Sequence, residues 1–251
     1  MTTPQRPRVI LQMAASLDGR IAFGPGLTMF DQHPAAKLLP DQGPLWKEVR
    51  DAIDAEWHPQ ATMMGSRTVL REGAELKELP AYADSRDTLL QDFLPDDVVQ
   101  ATRHWAVLVD GRGRCRSGYK ATETLGWHVL HLVSRSAPSE HLAFLREKRI
   151  PYLVGGERHA DLAGALAKMA GQLGVKSMVL WGGGTLNGAM LRQRLVDEIH
   201  LIVQPVAIGG RTTPTLFDCD DLREGESPAL VRLISARPAA GGYLWLHYTV
   251  Q

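Results

Sequence analysis

The feature that most limits how this chain can fold is SMVLWGGGTLNGAML, which starts at Ser177. Residues 177–181 form an apolar run too short for a stable helix and suited to a buried strand. Three glycines follow without a break, so the backbone can turn through positive φ and bring bare N–H groups close to another surface. Leu186, Ala189, Met190 and, a turn or so later, Leu195 can then share one face of a helix that begins at the glycines. The unpaired N–H groups of its first turn and the positive end of its dipole would make an anion site, suited to a phosphate or pyrophosphate. A plain strand-to-helix turn explains the same glycines, and both readings stand. No Lys-Ser or Lys-Thr pair follows, and Gly182, Gly184 and Asn187 miss the third glycine of the Rossmann fingerprint.

The rest of the chain repeats this alternation. Residues 8–13 read as a strand and 14–22, AASLDGRIA, as the turn leaving it, where Ala14, Ala15 and Ser16 either touch a flat ring or form an ordinary strand exit. Residues 23–42 read as a mobile loop, and 44–57 as a helix with Leu45, Val49, Ala52, Ile53 and Trp57 on its apolar face. A strand at 61–64 leads into Gly65–Leu70, a second strand-to-helix turn, in which Ser66 or Thr68 can cap the helix and Arg67 can pair with a phosphate. Residues 71–103 are polar, either a lid over a pocket or a simple insertion. The strand at 106–109 ends in Asp110 with Arg112, Arg114 and Arg116, which either hold an anionic, hydroxyl-rich substrate or neutralise one another in solvent. The strand at 127–133 leads to Ser134, Arg135 and Ser136, a cradle for a phosphomonoester.

A helix at 139–148 and a strand at 151–154 precede the most regular helix, where Leu162, Ala165, Leu166, Met169, Ala170 and Leu173 share a face and Gly174 stops the run. Strands at 198–207, 231–235 and 243–250 have no long helix between them. The expected fold is α/β: one domain over residues 1–251, with a central, mostly parallel sheet flanked by helices and antiparallel C-terminal strands.

Composition narrows the function. The 28 basic side chains balance 28 acidic ones, so neither nucleic acid nor an anionic membrane is an expected partner. Cys115 and Cys219 lie far apart without CxxC spacing, and no metal site is expected from the sequence. With neither an export signal nor a span of about 20 apolar residues, the expectation is a cytoplasmic protein with a small, specific ligand. The GxSxG elbow, HExxH and the zinc-deaminase signature are all missing, which leaves chemistry such as hydride transfer that needs positioned rings more than a nucleophile.

In order, LQMAASLDGRIA, ATMMGSRTV, AVLVDGRGR, HLVSRSAP and the stretch from SMVLWGGGTLNGAML to LVDEIHLIVQPVAIGG resemble the reductase domain of riboflavin biosynthesis, a dihydrofolate reductase-like family. The resemblance implies NADPH, a homodimer, and a pyrimidine substrate carrying a ribosylamino phosphate. It implies that Gly182, Gly183, Gly184, Thr185 and Leu186 hold the cofactor pyrophosphate, and that Gly65 and Thr68, beside Arg67, form a second phosphate turn. Ser134 and Arg135 would meet the adenosine 2′-phosphate, and Ala15 and Ser16 the nicotinamide. Asp110, the candidate proton donor, would lie with Arg112 and Arg114 near the ribityl chain. Gln12 and Trp181 stand where many bacterial members carry Lys and Glu that reach the substrate. The Asp-Pro-x-Leu pattern usual after the second turn is missing from residues 71–79. Two other readings stay open: a reductase of another heterocycle, such as a pterin, or a nucleotide-binding protein without activity.

Overall fold

The chain runs β1 (Arg8–Ser16), β2 (Ala22–Gly24), β3 (Leu27–Thr28), α1 (Gly43–Trp57), β4 (Ala61–Gly65), α2 (Ser66–Val69), α3 (Asp96–Ala101), β5 (His104–Val109), β6 (Trp127–Val133), α4 (Ser139–Glu147), β7 (Tyr152–Val154), α5 (Leu162–Leu173), β8 (Ser177–Gly182), α6 (Gly184–Arg192), β9 (Glu198–Gln204), β10 (Val231–Pro238) and β11 (Leu244–Val250). The structure is a computed structural model and describes residues 6–28, 33–70, 78–116 and 126–251. Most of the 71–79 segment, with the start of the possible lid, and residues 29–32 of the expected 23–42 loop lie outside the described residues. Among the described residues, no helix is long and apolar enough to cross a membrane.

The chain divides into two compact units: residues up to Pro7 with Pro59–Met178, and Arg8–His58 with Val179–Gln251. In the first, β4, β5, β6 and β7 pair in that order, all parallel. Parallel strands covered on both faces read as unbroken apolar runs, and β6 is buried at every position after Trp127. Its core packs Leu108, Val129 and Val133 of the sheet against Leu142 and Leu145 of α4. Tyr152 is fully buried there, donating its hydroxyl to the Leu89 carbonyl at 2.8 Å and accepting from Arg146 Nε at 2.7 Å. Phe93 and Tyr152 exchange two backbone hydrogen bonds of 2.9 Å, so this part of the polar 71–103 region is stitched to β7. Helix α5 buries Leu162, Ala165, Leu166 and Met169, as its spacing requires. Asp161 caps its start by accepting the Gly164 N–H, and Gly174, at φ 66°, ends it.

In the second unit β9 pairs parallel with β1 and antiparallel with β11, and β11 pairs antiparallel with β10. Helix α1 lays Leu45, Val49 and Ile53 on Ile10, Val179, Ile202 and Tyr243. It ends at His58, in the left-handed region at φ 45°. Strand β10 is exposed along its whole length.

Three local expectations are corrected. Ala14, Ala15 and Ser16 belong to β1 rather than to a turn, because the pairing with β9 continues through Ser16 and Gln204 and overrides weak strand propensity. The 23–42 loop contains the β2–β3 hairpin and a 3-10 turn at Pro34–Leu38. Neither Ser66 nor Thr68 caps α2: Gly65 is the N-cap residue and has no side chain to offer.

Candidate functional site

The residues singled out from the sequence fall into two groups, one in each unit. In the second unit, the strand-to-helix turn has Gly182 at φ 59° and Gly183 at φ 88°, with Gly183 as the N-cap of α6. Two of the three glycines are explained by packing within the protein. A Cβ on Gly182 would lie 1.9 Å from Asn187 Oδ1, and one on Gly184 2.3 Å from both Asp218 Oδ2 and the Thr215 carbonyl. The Asp218 carboxylate is fixed there by the Thr215 N–H at 2.9 Å and the Thr215 hydroxyl at 2.6 Å. Gly183 lies between them at φ 88° as the N-cap of α6. A glycine N-cap leaves the first-turn amides of α6 without a side-chain acceptor from that position, and Thr185 beside them is exposed while Leu186 is buried. The turn fits a pyrophosphate on this ground.

At the end of β1, Ala15 and Ser16 are buried. Ser16 donates its hydroxyl to Asp18 Oδ1 at 2.6 Å and accepts the Arg20 N–H at 2.9 Å. Asp18 also accepts the amides of Ile208 and Gly209, at 3.0 and 2.6 Å. The Ser16 hydroxyl first, and then these two amides, hold the Asp18 carboxyl well below the usual carboxylate range. The β1 exit is thereby tied to the segment after β9.

Gln12 and Trp181, the two departures from the family pattern, bond to each other. Trp181 donates its indole N–H to Gln12 Oε1 at 3.1 Å, and Gln12 donates through Nε2 to the Trp46 carbonyl at 3.3 Å. The Arg50 guanidinium lies 4.6 Å over the Trp181 ring. Gln12 is buried, so a neutral, hydrogen-bonded pair fills these two positions.

In the first unit Asp110 is 1% exposed, and its Oδ2 accepts the amides of Arg114 at 2.7 Å and Cys115 at 2.6 Å. A carboxylate so engaged organises a turn. It is badly placed to hand a proton to a ligand, so the proton-donor assignment gives way to a positioning one. Arg112 is exposed on that turn and Arg114 is half-buried. Burial, and then Asp110, push the Cys115 thiol up to about 12. Ser134 is fully buried and spends its hydroxyl on the Gly111 carbonyl at 2.5 Å, whereas Arg135 keeps its guanidinium on the surface, 3.6 Å from Glu157. Gly65 starts α2, and Arg67 and Thr68 are both exposed. A cavity of about 60 Å³ lies at the ends of β6 and β7, lined by Val133, Val154, Gly155, Asp161, Gly164 and Lys168 among others.

Two histidine clusters escaped the sequence reading. Asp110 gathers His131 and His141 in the first unit, and Glu198 gathers His200 and His247 in the second. Burial, with His141 beside it, pushes His131 down to about 3. Burial lowers His141 to about 4 against the opposing pull of Asp110, and lowers His200 to about 4. Burial raises the Glu198 carboxyl, but Arg8 and His247 together hold it below its ordinary value. The only hint in the sequence was Glu198 and His200 two apart on a strand, and hence on one face.

The family model described as the RibD C-terminal domain matches residues 7–244. A protein of Methanothermobacter thermautotrophicus named 2,5-diamino-6-ribosylamino-4(3H)-pyrimidinone 5′-phosphate reductase is 32% identical over 219 residues, 87% of each chain. One of the same name from Archaeoglobus fulgidus is 30% identical over 213 residues, 85% of this chain and 87% of its own. Among solved structures, RibD of Acinetobacter baumannii superposes with a TM-score of 0.60 at 18% identity, over 98% of this chain and 58% of that one. That likeness shows a shared α/β fold.

Proposed function

Since the chain belongs to the RibD C-terminal domain family, we propose that it is an NADPH-dependent reductase of riboflavin biosynthesis, acting through residues 1–251 as one functional domain. Its substrate is 2,5-diamino-6-ribosylamino-4(3H)-pyrimidinone 5′-phosphate or the corresponding 5-amino-6-(5-phosphoribosylamino)uracil. The observation that carries this reading is the match to two reductases of that name across 87% and 85% of this chain. NADPH, when bound, supplies a hydride to the imine carbon of the opened ribosylamine.

The chain's own residues bind and orient. The amides from Gly183 to Leu186 take the pyrophosphate, aided by the α6 dipole. Arg135 takes the 2′-phosphate through its planar fork, and Ser134 shapes that turn. Arg67 and Thr68, after Gly65, meet a second phosphate oxygen. Ala15 and Ser16 line the nicotinamide end. Arg112 and Arg114 hold the substrate phosphate, positioned by Asp110, and the proton comes from solvent. Gln12 and Trp181 take the places of the family's charged pair, and their amide and indole groups are bonded to each other rather than offered to the pyrimidine edge.

The missing acid at position 181 leaves one second reading: reduction of another heterocycle, such as a pterin. Two copies of the chain form the working unit, a reading supported by Leu230, Val231, Leu233 and Ile234, four large apolar side chains exposed on and beside strand β10. Oxidation of NADPH in the presence of the ribosylaminopyrimidine phosphate, with product in equal amount, is the expected result. Turnover with a pterin alone would transfer the assignment to the second reading, and NADPH binding without turnover of either would reject both. Gly183→Val should weaken NADPH binding at least tenfold while circular dichroism stays unchanged, since φ 88° suits glycine alone.

A further inference from the structure

Glu198, His200 and His247 play no part in the proposed reduction, yet they converge. Glu198 and His200 point from the same face of β9, and the antiparallel register sets His247 of β11 opposite His200. His247 Nε2 lies 3.2 Å and His200 Nε2 3.6 Å from the same oxygen, Glu198 Oε2. All three donor atoms fall within 4.8 Å of one another, and the imidazole rings stack at 4.0 Å between centroids.

These spacings match a metal's coordination shell. With zinc–nitrogen and zinc–oxygen bonds of about 2.0–2.2 Å, neighbouring ligand atoms of a tetrahedral site stand roughly 3.3–3.5 Å apart. Two of the three edges already have about that length, and the third is no longer than 4.8 Å.

The surroundings are those of a ligand set. Arg8 holds the other carboxylate oxygen, Oε1, through Nη2 at 2.5 Å and Nε at 3.1 Å, and the Trp57 indole N–H reaches Oε2 at 3.2 Å. Outer hydrogen bonds of this kind fix the orientation of a coordinating carboxylate. His200 is buried, and among the described residues neither ring nitrogen has a partner within hydrogen-bond distance, Glu198 Oε2 at 3.6 Å standing nearest to Nε2 in the cluster. A hydrogen-bonded network of Arg8, Glu198 and His247 accounts for every member except His200, and a buried imidazole with both nitrogens unmet is costly. The His247 side chain is 13% exposed and that of Arg8 38%, which opens a way in.

We infer that Glu198, His200 and His247 form a binding site for a divalent transition-metal ion of the zinc class, with water in the fourth position. Two imidazoles and one carboxylate suit zinc, cobalt or nickel, whereas magnesium and calcium call for oxygen ligands throughout. The ion would tie β11 to β9 beside the last turn of α1. The other cluster, Asp110 with His131 and His141, has side chains no more than 1% exposed and its carboxylate already holds two backbone amides, which leaves an ion no way in.

The test is a zinc titration of the chelator-stripped full chain by calorimetry, with cobalt as a spectroscopic substitute. One ion should bind per chain, cobalt should show the intense visible bands of tetrahedral coordination, and zinc should raise the melting temperature by roughly 5 °C, reversibly with chelator. His247→Gln, a change at a partly exposed position, and Glu198→Gln should each weaken zinc at least tenfold, with folding checked by circular dichroism. Zinc that fails to saturate the wild type below about 100 μM, a Kd equivalent to roughly 5.5 kcal/mol of binding, would overturn the inference. So would affinity unchanged in both folded variants, or lost only when His131→Gln is made.

Discussion

Each unit sinks one carboxylate among two histidines, and the two clusters meet the cost of burial differently. In the first, Asp110 serves the main chain: Oδ2 holds the Arg114 and Cys115 amides, and among the described residues Oδ1 and all four imidazole nitrogens have no hydrogen-bond partner. In the second, Glu198 serves side chains: a cation, an indole and two imidazoles surround it at the partly open end of a sheet. A carboxylate that organises backbone is structural by necessity, because an amide has no second conformation in which to find a partner. One that organises long side chains leaves them free to rearrange around a ligand.

This contrast predicts unequal costs for removing the acids. Asp110→Ala strands two amides in a buried turn and should destabilise the protein by about 2–5 kcal/mol in urea unfolding. Glu198→Ala frees Arg8 into solvent and should cost about 1–2 kcal/mol in the absence of metal. A larger loss at Glu198 would break the comparison.

Acid sensitivity should divide the same way. His131, His141 and His200 have folded-state values of about 3, 4 and 4, all below the ordinary 6.5. The unfolded chain therefore binds protons first as pH drops below about 6.5, and stability is lost progressively down to about pH 4, where the folded forms begin to titrate. The depressed Glu198 carboxyl acts lower: its contribution is complete above its ordinary value of 4.5 and disappears as pH falls through its folded value. His131→Leu should flatten the acid loss more than His200→Leu does, chiefly below about pH 4, where the lower His131 value keeps its contribution growing, measured as urea midpoints across pH. Equal flattening would mean that the two clusters are buried alike.

The smallest effect concerns the thiols. Cys115, held in the Asp110 turn and raised to about 12, should resist a thiol reagent in the native protein, while exposed Cys219 reacts. One thiol should titrate before denaturation and two after; two before would show that the Asp110 turn opens.

The elements were readable where a local pattern carries them. Helix α5 follows from the spacing of Leu162, Leu166 and Met169 and the stop at Gly174, β6 from a Val- and Leu-rich run broken only by His128 and His131, and the antiparallel finish from strands without helices between them. The β1 end was misjudged because Ala14, Ala15 and Ser16 have little propensity of their own and take strand form from β9. At the glycine triplet, sequence specified a turn with positive φ but not what approaches it, and Asn187 and Asp218 claim two of the three positions.

Strand–helix order, the glycine turn and the family motifs are properties of neighbours in the chain, and the amino-acid sequence by itself determined them. Tertiary structure alone decided that Gln12 meets Trp181, that Asp110 is a turn anchor closed to solvent, and that His247 arrives beside Glu198 and His200. The Gln12–Trp181 and Glu198–His247 contacts join residues 169 and 49 positions apart through the packing of strands, which no local spacing encodes, and the closure of the Asp110 turn to solvent depends on what packs over it.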